Sequence, residues 1–218
     1  MHGMGGEQPS KRVWKESVRY LKDIDEMMSE LIERMDNKAP SIKIVPDPFE
    51  ALVRAVIHQN VRAEQSTVKL KKLTELFGGT FPHPGEILTI GASKLQGIGI
   101  TRNQVKAIFR IASSVMDNEI DFTNISGLND SEIIDKLREL PGIGLWSAQM
   151  FLVFHLMRPD VLMTGDSSLA KAVKTIYGLD HVPSGSEMET IFEKFRPYRS
   201  AAAWYIWRVV GDFMPGLH

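Results

Sequence analysis

Cysteine is absent from this 218-residue sequence, and its absence narrows the chemistry that the chain can perform. Without thiols the chain has no disulfides, no thiolate nucleophile and no cysteine-ligated iron–sulfur cluster. We therefore expect an intracellular protein.

Long apolar runs are also missing, since no stretch of about 18 apolar residues is available to span a membrane. Hydrophobic residues at 43% and charged residues at 24% are typical of a globular protein in water. The Gly-rich segment Met1–Gln8 has no apolar core, so we expect a frayed tail rather than a secretory signal.

An excess of positive charge is the third missing feature, because the sequence has 26 Lys and Arg residues and 27 Asp and Glu residues. A protein that holds a nucleic acid by bulk charge is usually basic. The net charge of −1 argues against a protein that binds nucleic acid by bulk charge. It does not argue against a protein that binds through backbone amides and a local patch of charge.

The apolar residues recur at helical spacing along most of the chain, which predicts an all-α fold. Asp47 and Pro48 supply an N-cap and a first-turn proline for a helix that ends near Gln59. Two candidate strands, Lys43–Val45 and Val161–Met163, are too short to build a sheet. The predicted helices cover Lys11–Met35, 48–59, Glu64–Phe77, 101–117, 130–139, 145–157, 167–177, 186–194 and 198–212.

The pentapeptide Leu140–Gly144 (LPGIG) lies between two of these helices. Its glycines permit positive φ and close approach, so the amides of Gly142, Gly144 and the next helical turn can point at one phosphate. We expect Pro141 and Ile143 to fix the loop and pack its underside. A plain turn between antiparallel helices is the alternative.

Asp166 stands at the start of a predicted helix, where most aspartates act only as N-caps. The amides that cap the helix also hold a carboxylate ionised and aimed, so capping and catalysis are compatible. Lys171, one turn later, is in a position to reach a phosphate or to lie on a solvated face.

The LPGIG hairpin, followed after about twenty residues by Asp166-x-x-Leu-x-Lys171, resembles the signature of the helix-hairpin-helix DNA glycosylases named for Gly, Pro and a catalytic Asp. Three further stretches, 47–60, 95–106 and 195–207, resemble the 3-methyladenine DNA glycosylase II branch. The resemblance implies two helical subdomains with a cleft between them. It divides the chain into 1–44, packing with the C-terminal part, 45–155 with the hairpin, and 156–218 with the catalytic Asp.

The resemblance also implies a role for each site residue. Asp166 is the expected catalytic residue, and Trp146, Met150 and Trp207 are the expected base pocket. We expect core packing for Trp14 and Trp204, and a structural role for His58. The residues expected to contact DNA are Gly142, Ile143, Gly144, Ser147, Gln59, Asn60 and Lys171.

The implied reaction is hydrolysis of the N-glycosidic bond of alkylated purines such as 3-methyladenine and 7-methylguanine. Lyase-active relatives carry a lysine where this chain has Trp146, so we expect a monofunctional enzyme without Schiff-base chemistry. The expected partner is double-stranded DNA, bound by a monomer in a prokaryotic cytoplasm or nucleoid, or in a eukaryotic nucleus. We expect no cofactor or metal site, apart from a monovalent cation held by hairpin carbonyls when DNA is bound.

Three alternatives stay open at this point. The chain could be a damaged-DNA-binding protein of the same fold without catalysis, or a glycosylase for a deaminated, mismatched or oxidised base. A helical scaffold unrelated to nucleic acids would require every motif to be a coincidence.

Overall fold

A computed structural model describes residues 9–40 and 44–209, and all of their regular structure is helical. No strand occurs in these residues, which confirms the all-α prediction. The predicted tail Met1–Gln8, residue Lys43 of one candidate strand and the end of the helix predicted to reach residue 212 lie outside the described residues. None of the described helices combines the length and the apolar character needed to cross a membrane.

The helices follow the predicted order, but two helices are added and the first predicted helix is divided into two. The short helices α5 and α6 were not predicted, because Pro84 and Gly91 break the sequence into pieces too short to show a helical period. The helix predicted for 145–157 ends at Phe154. The elements are α1 Pro9–Ile24, α2 Glu26–Arg34, α3 Pro48–His58, α4 Ala63–Leu76, α5 Pro84–Ile90, α6 Ala92–Gly97, α7 Arg102–Met116, α8 Asp130–Arg138, α9 Leu145–Phe154, α10 Ser167–Tyr177, α11 Gly185–Phe192 and α12 Arg199–Val209.

The contacts among these helices divide the described chain into two compact units. The hairpin unit consists of residues 44–156 and holds α3 to α9. The discontinuous unit consists of residues 9–40 and 157–209, and therefore joins α1 and α2 to α10, α11 and α12.

Helix α3 is the centre of the hairpin unit and packs against α4, α7 and α9. Asp47 starts this helix as predicted, because its Oδ1 accepts hydrogen bonds from the amides of Phe49 and Glu50 at 2.7 and 3.2 Å.

The two ends of the hairpin unit are hydrogen-bonded to each other. The amide of Val45 donates to the carbonyl of Phe154 at 3.0 Å, and Nδ1 of His155 donates to the carbonyl of Val45 at 2.7 Å.

Helix α12 is the centre of the discontinuous unit, since residues 200–207 are all buried. It packs against α10, α2 and α1. A helix that is buried around its whole circumference is expected at the core of a unit rather than at its surface. The buried Tyr205 joins distant parts of the sequence, because its hydroxyl donates to the carbonyl of Lys38 at 2.7 Å.

The single helix predicted over Lys11–Met35 is wrong, because the helix breaks at Asp25. Asp25 has an extended backbone, and its Oδ1 accepts from the amide of Met28 at 2.8 Å, so it caps α2. The same carboxylate accepts from the Tyr177 hydroxyl at 3.2 Å and forms an ion pair with Lys194. These distant partners favour the break, and the local apolar spacing carries no sign of them.

We expect Asp25→Ala to lower the free energy of unfolding by about 2–4 kcal/mol, measured by urea denaturation. The substitution removes a helix cap and leaves Lys194 and Tyr177 without their buried acceptor. Exposed Asp23, which faces Arg19 at 3.7 Å, provides the matched control. Asp23→Ala should change the free energy by less than about 0.5 kcal/mol, and equal effects of the two substitutions would contradict this account.

Candidate active site and nucleic-acid interface

The hairpin Leu140–Gly144 joins α8 to α9 through a tight turn. The amide of Ile143 donates to the carbonyl of Leu140 at 3.0 Å, and both side chains are buried. Pro141 is exposed, so the expectation that it packs the underside is wrong and Leu140 takes that place with Ile143. The turn is therefore anchored by two apolar side chains, with its glycines at the surface.

The two hairpin glycines have different surroundings, which the sequence did not distinguish. Gly142 has φ +92°, and a Cβ built on it would lie 2.4 Å from Cβ of Ala107 on α7. Gly144 has an ordinary extended backbone, and a Cβ there would meet nothing within 4 Å. Gly142 thus serves packing inside the protein, whereas Gly144 leaves open space in front of the first turn of α9.

Helix α9 begins at Leu145, and its N-cap residue, Gly144, has no side chain that could cap it. The first-turn amides of an α-helix have no partners within the helix, and the macrodipole adds positive potential there. Such an end attracts an anion without any lysine. The geometry therefore suits the predicted phosphate contact at Gly144. Ser147 is 1% exposed, and the contacts of both residues with DNA stay predictions.

Gln59 ends α3 and reaches the hairpin. Its side-chain amide donates to the carbonyl of Gly142 at 2.9 Å and to Oγ of buried Ser147 at 2.6 Å. The next residue, Asn60, is exposed and has φ +54°. The structure thus gives Gln59 a role in holding the hairpin, while contacts of Gln59 and Asn60 with DNA stay predictions.

Gln104 is a positioning residue that the sequence analysis did not identify. Its Oε1 accepts from the amide of Thr101 at 3.1 Å, and its Nε2 donates to the carbonyls of Val56 and Ile57 at 3.0 and 3.2 Å. The pattern Thr-x-x-Gln is that of a capping box and was a usable signal. Gln104 ties the start of α7 to the end of α3, next to the residues that hold the hairpin.

Asp166 is the N-cap of α10 in the discontinuous unit, as predicted, and is 8% exposed. Three donors converge on its Oδ1, namely the amides of Ser168 and Leu169 at 2.9 and 2.8 Å and the Ser168 hydroxyl at 2.7 Å. These three hydrogen bonds hold Oδ1 at the start of the helix. Lys171 follows on an exposed face. The sequence analysis did not identify Ser168.

The predicted pocket residues differ in accessibility. Trp146 and Met150 lie in the hairpin unit on α9, where Trp146 is half-buried and Met150 is buried. Trp207 lies on α12 of the discontinuous unit and is 4% exposed. Trp14 and Trp204 are buried, which confirms their assignment to the core. The contact of Trp146, Met150 and Trp207 with a base stays a prediction.

His58 is buried at the end of α3, 6% exposed. Its Nδ1 donates to the carbonyl of Arg54 at 2.7 Å, and its Nε2 has no hydrogen-bond partner among the described residues. Burial lowers the pKa of the imidazole from 6.5 to about 4, and the nearby Arg54 charge acts in the same direction. His58 is therefore neutral near pH 7 and has a structural role.

Gly142→Ala and Gly144→Ala form a matched pair. We expect Gly142→Ala to lower the free energy of unfolding by about 2–4 kcal/mol, because it adds a strained φ and a clash with Ala107. Gly144→Ala should leave stability within about 0.5 kcal/mol but weaken DNA affinity about tenfold, since its Cβ stands where a phosphate approaches. Thermal unfolding and fluorescence anisotropy with duplex DNA measure the two effects, and reversed effects would overturn the assignment.

His58 gives a prediction for the pH dependence of stability. The unfolded chain binds a proton near pH 6.5 and the folded chain only near pH 4, so stability is full above pH 6.5 and is lost as the pH falls. The expected loss between these values is on the order of 3 kcal/mol. Urea denaturation at a series of pH values measures the free energy of unfolding. His58→Leu should reduce the dependence of this free energy on pH, whereas His83→Gln, at an exposed histidine, should not. Equal slopes in wild type and His58→Leu would refute it.

Comparison with known proteins places this site in a family. Residues 53–197, about two thirds of the chain, match the family model described as "HhH-GPD superfamily base excision DNA repair protein". The match spans the end of α3, the hairpin and Asp166.

Individual relatives agree with the family match. The chain is 26% identical to the alkylbase DNA glycosidase-like protein mag2 of Schizosaccharomyces pombe over 208 residues, or 94% of this chain and 95% of that protein. It is 27% identical over 192 residues to DNA-3-methyladenine glycosylase 1 of the same organism, covering 87% and 84% of the two chains.

A solved structure extends the agreement to the fold. The S. pombe 3-methyladenine DNA glycosylase Mag1 in complex with abasic DNA matches with a TM-score of 0.84 at 26% identity, covering 90% of this chain and 97% of that one. On its hairpin, its capped aspartate and these matches, the chain belongs to the HhH-GPD superfamily of base excision DNA repair proteins.

Proposed function

We propose that this protein is a monofunctional DNA glycosylase that releases alkylated purines, such as 3-methyladenine and 7-methylguanine, from double-stranded DNA. The observation that carries the proposal is the carboxylate of Asp166, buried at a helix N-terminus with three donors on Oδ1. The names of two relatives, DNA-3-methyladenine glycosylase 1 and alkylbase DNA glycosidase-like protein, support the substrate class.

The chemistry needs one negative charge near the sugar. Alkylation at N3 or N7 makes the purine cationic, so the base is already a good leaving group and positive charge develops on the deoxyribose. A carboxylate about 4 Å away stabilises that charge by roughly 4 kcal/mol at an effective dielectric constant near 20. This corresponds to a rate increase of about a thousandfold. Asp166 supplies this charge, and it is also the candidate base that activates the attacking water.

The target base must leave the duplex before the reaction, at a cost of a few kcal/mol. We assign the contacts with the DNA backbone to residues of the hairpin and its surroundings. These are Gly142, Ile143, Gly144 and Ser147, with further contacts by Gln59, Asn60 and Lys171. Stacking on an aromatic face contributes roughly 1–3 kcal/mol per base and favours a cationic one. We assign that contact to Trp146 and Trp207. Met150 is the third side chain assigned to the base pocket, and its flexible thioether adapts to the shape of the base.

The product should be an abasic site with an intact strand. Schiff-base lyases need an amine at the position that Trp146 occupies here, and an indole cannot form that intermediate. The carbonyl oxygens of the hairpin are hard donors of the kind that a monovalent cation prefers, and we propose that they hold such a cation when DNA is bound. One of them, the carbonyl of Gly142, accepts a hydrogen bond from the side chain of Gln59.

We further propose that the protein acts as a monomer inside the cell.

The first test is base release from methylated duplex DNA, with the purines identified by chromatography. We expect release of 3-methyladenine or 7-methylguanine by wild type and about a thousandfold slower release by Asp166→Asn. Asparagine is also a good N-cap, so the fold of α10 should survive. Asp47→Asn at the equivalent cap of α3 is the matched control and should keep wild-type release, and borohydride should trap no covalent adduct.

Other outcomes separate the alternatives. A wild-type protein that binds abasic DNA but frees no base would be a damage-binding protein. Release of a deaminated or oxidised base without release of methylated purines would assign a different lesion. Equal release by wild type and Asp166→Asn would remove Asp166 from the reaction.

A further inference from the structure

Ser168 lies two residues after Asp166 and places its hydroxyl 2.7 Å from Oδ1 of that carboxylate. Its own amide bonds the same oxygen at 2.9 Å, and the amide of Leu169 bonds it at 2.8 Å. One residue thus supplies both a backbone and a side-chain donor to the proposed catalytic group. The side chain is half-buried, whereas that of the preceding Ser167 is exposed.

The hydroxyl is not needed for capping, as two other aspartate caps in this protein show. Asp47 caps α3 through the amides of Phe49 and Glu50, with phenylalanine at the position that Ser168 occupies after Asp166. Asp25 caps α2 through the amide of Met28, and the residue two positions after it is Met27. The cap at Asp47 therefore forms with backbone donors alone, and the cap at Asp25 forms without a hydroxyl two residues after the aspartate. The Ser168 hydroxyl adds something beyond a cap.

A third donor constrains the orientation of the carboxylate. The Cβ–Cγ torsion of aspartate has a broad energy profile, so the hydrogen bonds to its oxygens determine the orientation of the carboxylate. Hydrogen bonds from a hydroxyl to an ionised carboxylate are short and stronger than neutral ones. A third hydrogen bond to Oδ1 therefore raises the cost of turning the carboxylate away from the position in which the two amides hold this oxygen.

We propose that Ser168 is a positioning residue, which holds the carboxylate of Asp166 in the orientation required for base release. The inference rests on the proposed function, because it assigns to Ser168 a share in the rate of that reaction. Ser168 acts through Asp166 and needs no contact with the substrate. Catalytic groups held in their productive orientation before the substrate binds do not lose rate to reorientation.

The test compares Ser168→Ala, Ser168→Thr and Ser167→Ala with wild type in single-turnover release from methylated duplex DNA. We expect Ser168→Ala to release base about tenfold more slowly, equivalent to about 1.4 kcal/mol. Its affinity for duplex DNA with a tetrahydrofuran abasic analogue should stay within about twofold of wild type, because the hairpin is untouched. Ser168→Thr restores a hydroxyl and should recover most of the rate, and Ser167→Ala should match wild type.

Three results would overturn the inference while leaving the proposed function intact. These are wild-type release by Ser168→Ala, an equal loss in Ser168→Ala and Ser168→Thr, and a rate loss fully matched by a loss of DNA affinity. In each of them wild type still releases methylated purines and Asp166→Asn does not. A wild-type protein without release overturns the proposed function and this inference with it.

Discussion

The amide groups at helix N-termini must find partners outside their own helix, and the candidate site depends on how two helices meet this requirement. Helix α10 meets it internally, because Asp166 accepts from its first-turn amides. The N-cap residue of helix α9, Gly144, has no side chain with which to do the same. The N-terminus of a helix thus binds the carboxylate of Asp166 in the discontinuous unit, and in the proposed function the N-terminus of α9 binds a DNA phosphate in the hairpin unit.

The hairpin contacts two other helices of the hairpin unit, α3 and α7. Gly142 packs directly on Ala107 of α7, and its carbonyl accepts from Gln59 at the end of α3. Gln104 then ties α7 back to α3. A phosphate-binding loop gains affinity when its amides are already in place, since little conformational entropy is lost on binding. In the proposed function, Ala107 and Gln104 thus contribute to DNA recognition without a contact of their own with DNA.

The sequence predicted features whose cause is local. The caps at Asp47 and Asp166 and most helix bounds follow from residues within one turn of each other. Features with distant causes were not predictable. The break at Asp25 depends on Lys194 and Tyr177, far along the chain, and the need for glycine at position 142 depends on Ala107.

Ser168 marks a third kind of limit on prediction. Serine is common near helix starts, so its identity gave no reason to single it out, and only the 2.7 Å approach of its hydroxyl to Asp166 does so. Pro141 shows the converse, because a residue prominent in the motif is exposed and contributes little packing. A motif therefore indicates which loop matters more reliably than which of its side chains do.

The pairing of Val45 with Phe154 and His155 has a consequence for how the chain folds. Every contact within the hairpin unit becomes available once residue 156 has left the ribosome, whereas α2 must wait for α12. The entropy lost on joining those two helices depends on the length of chain that separates them. Once Val45 and Phe154 are paired, the chain between them no longer adds to that separation, and only residues 35–44 and 155–198 still separate α2 from α12. The hairpin unit thereby acts as a folding template that shortens the search between the two ends of the sequence.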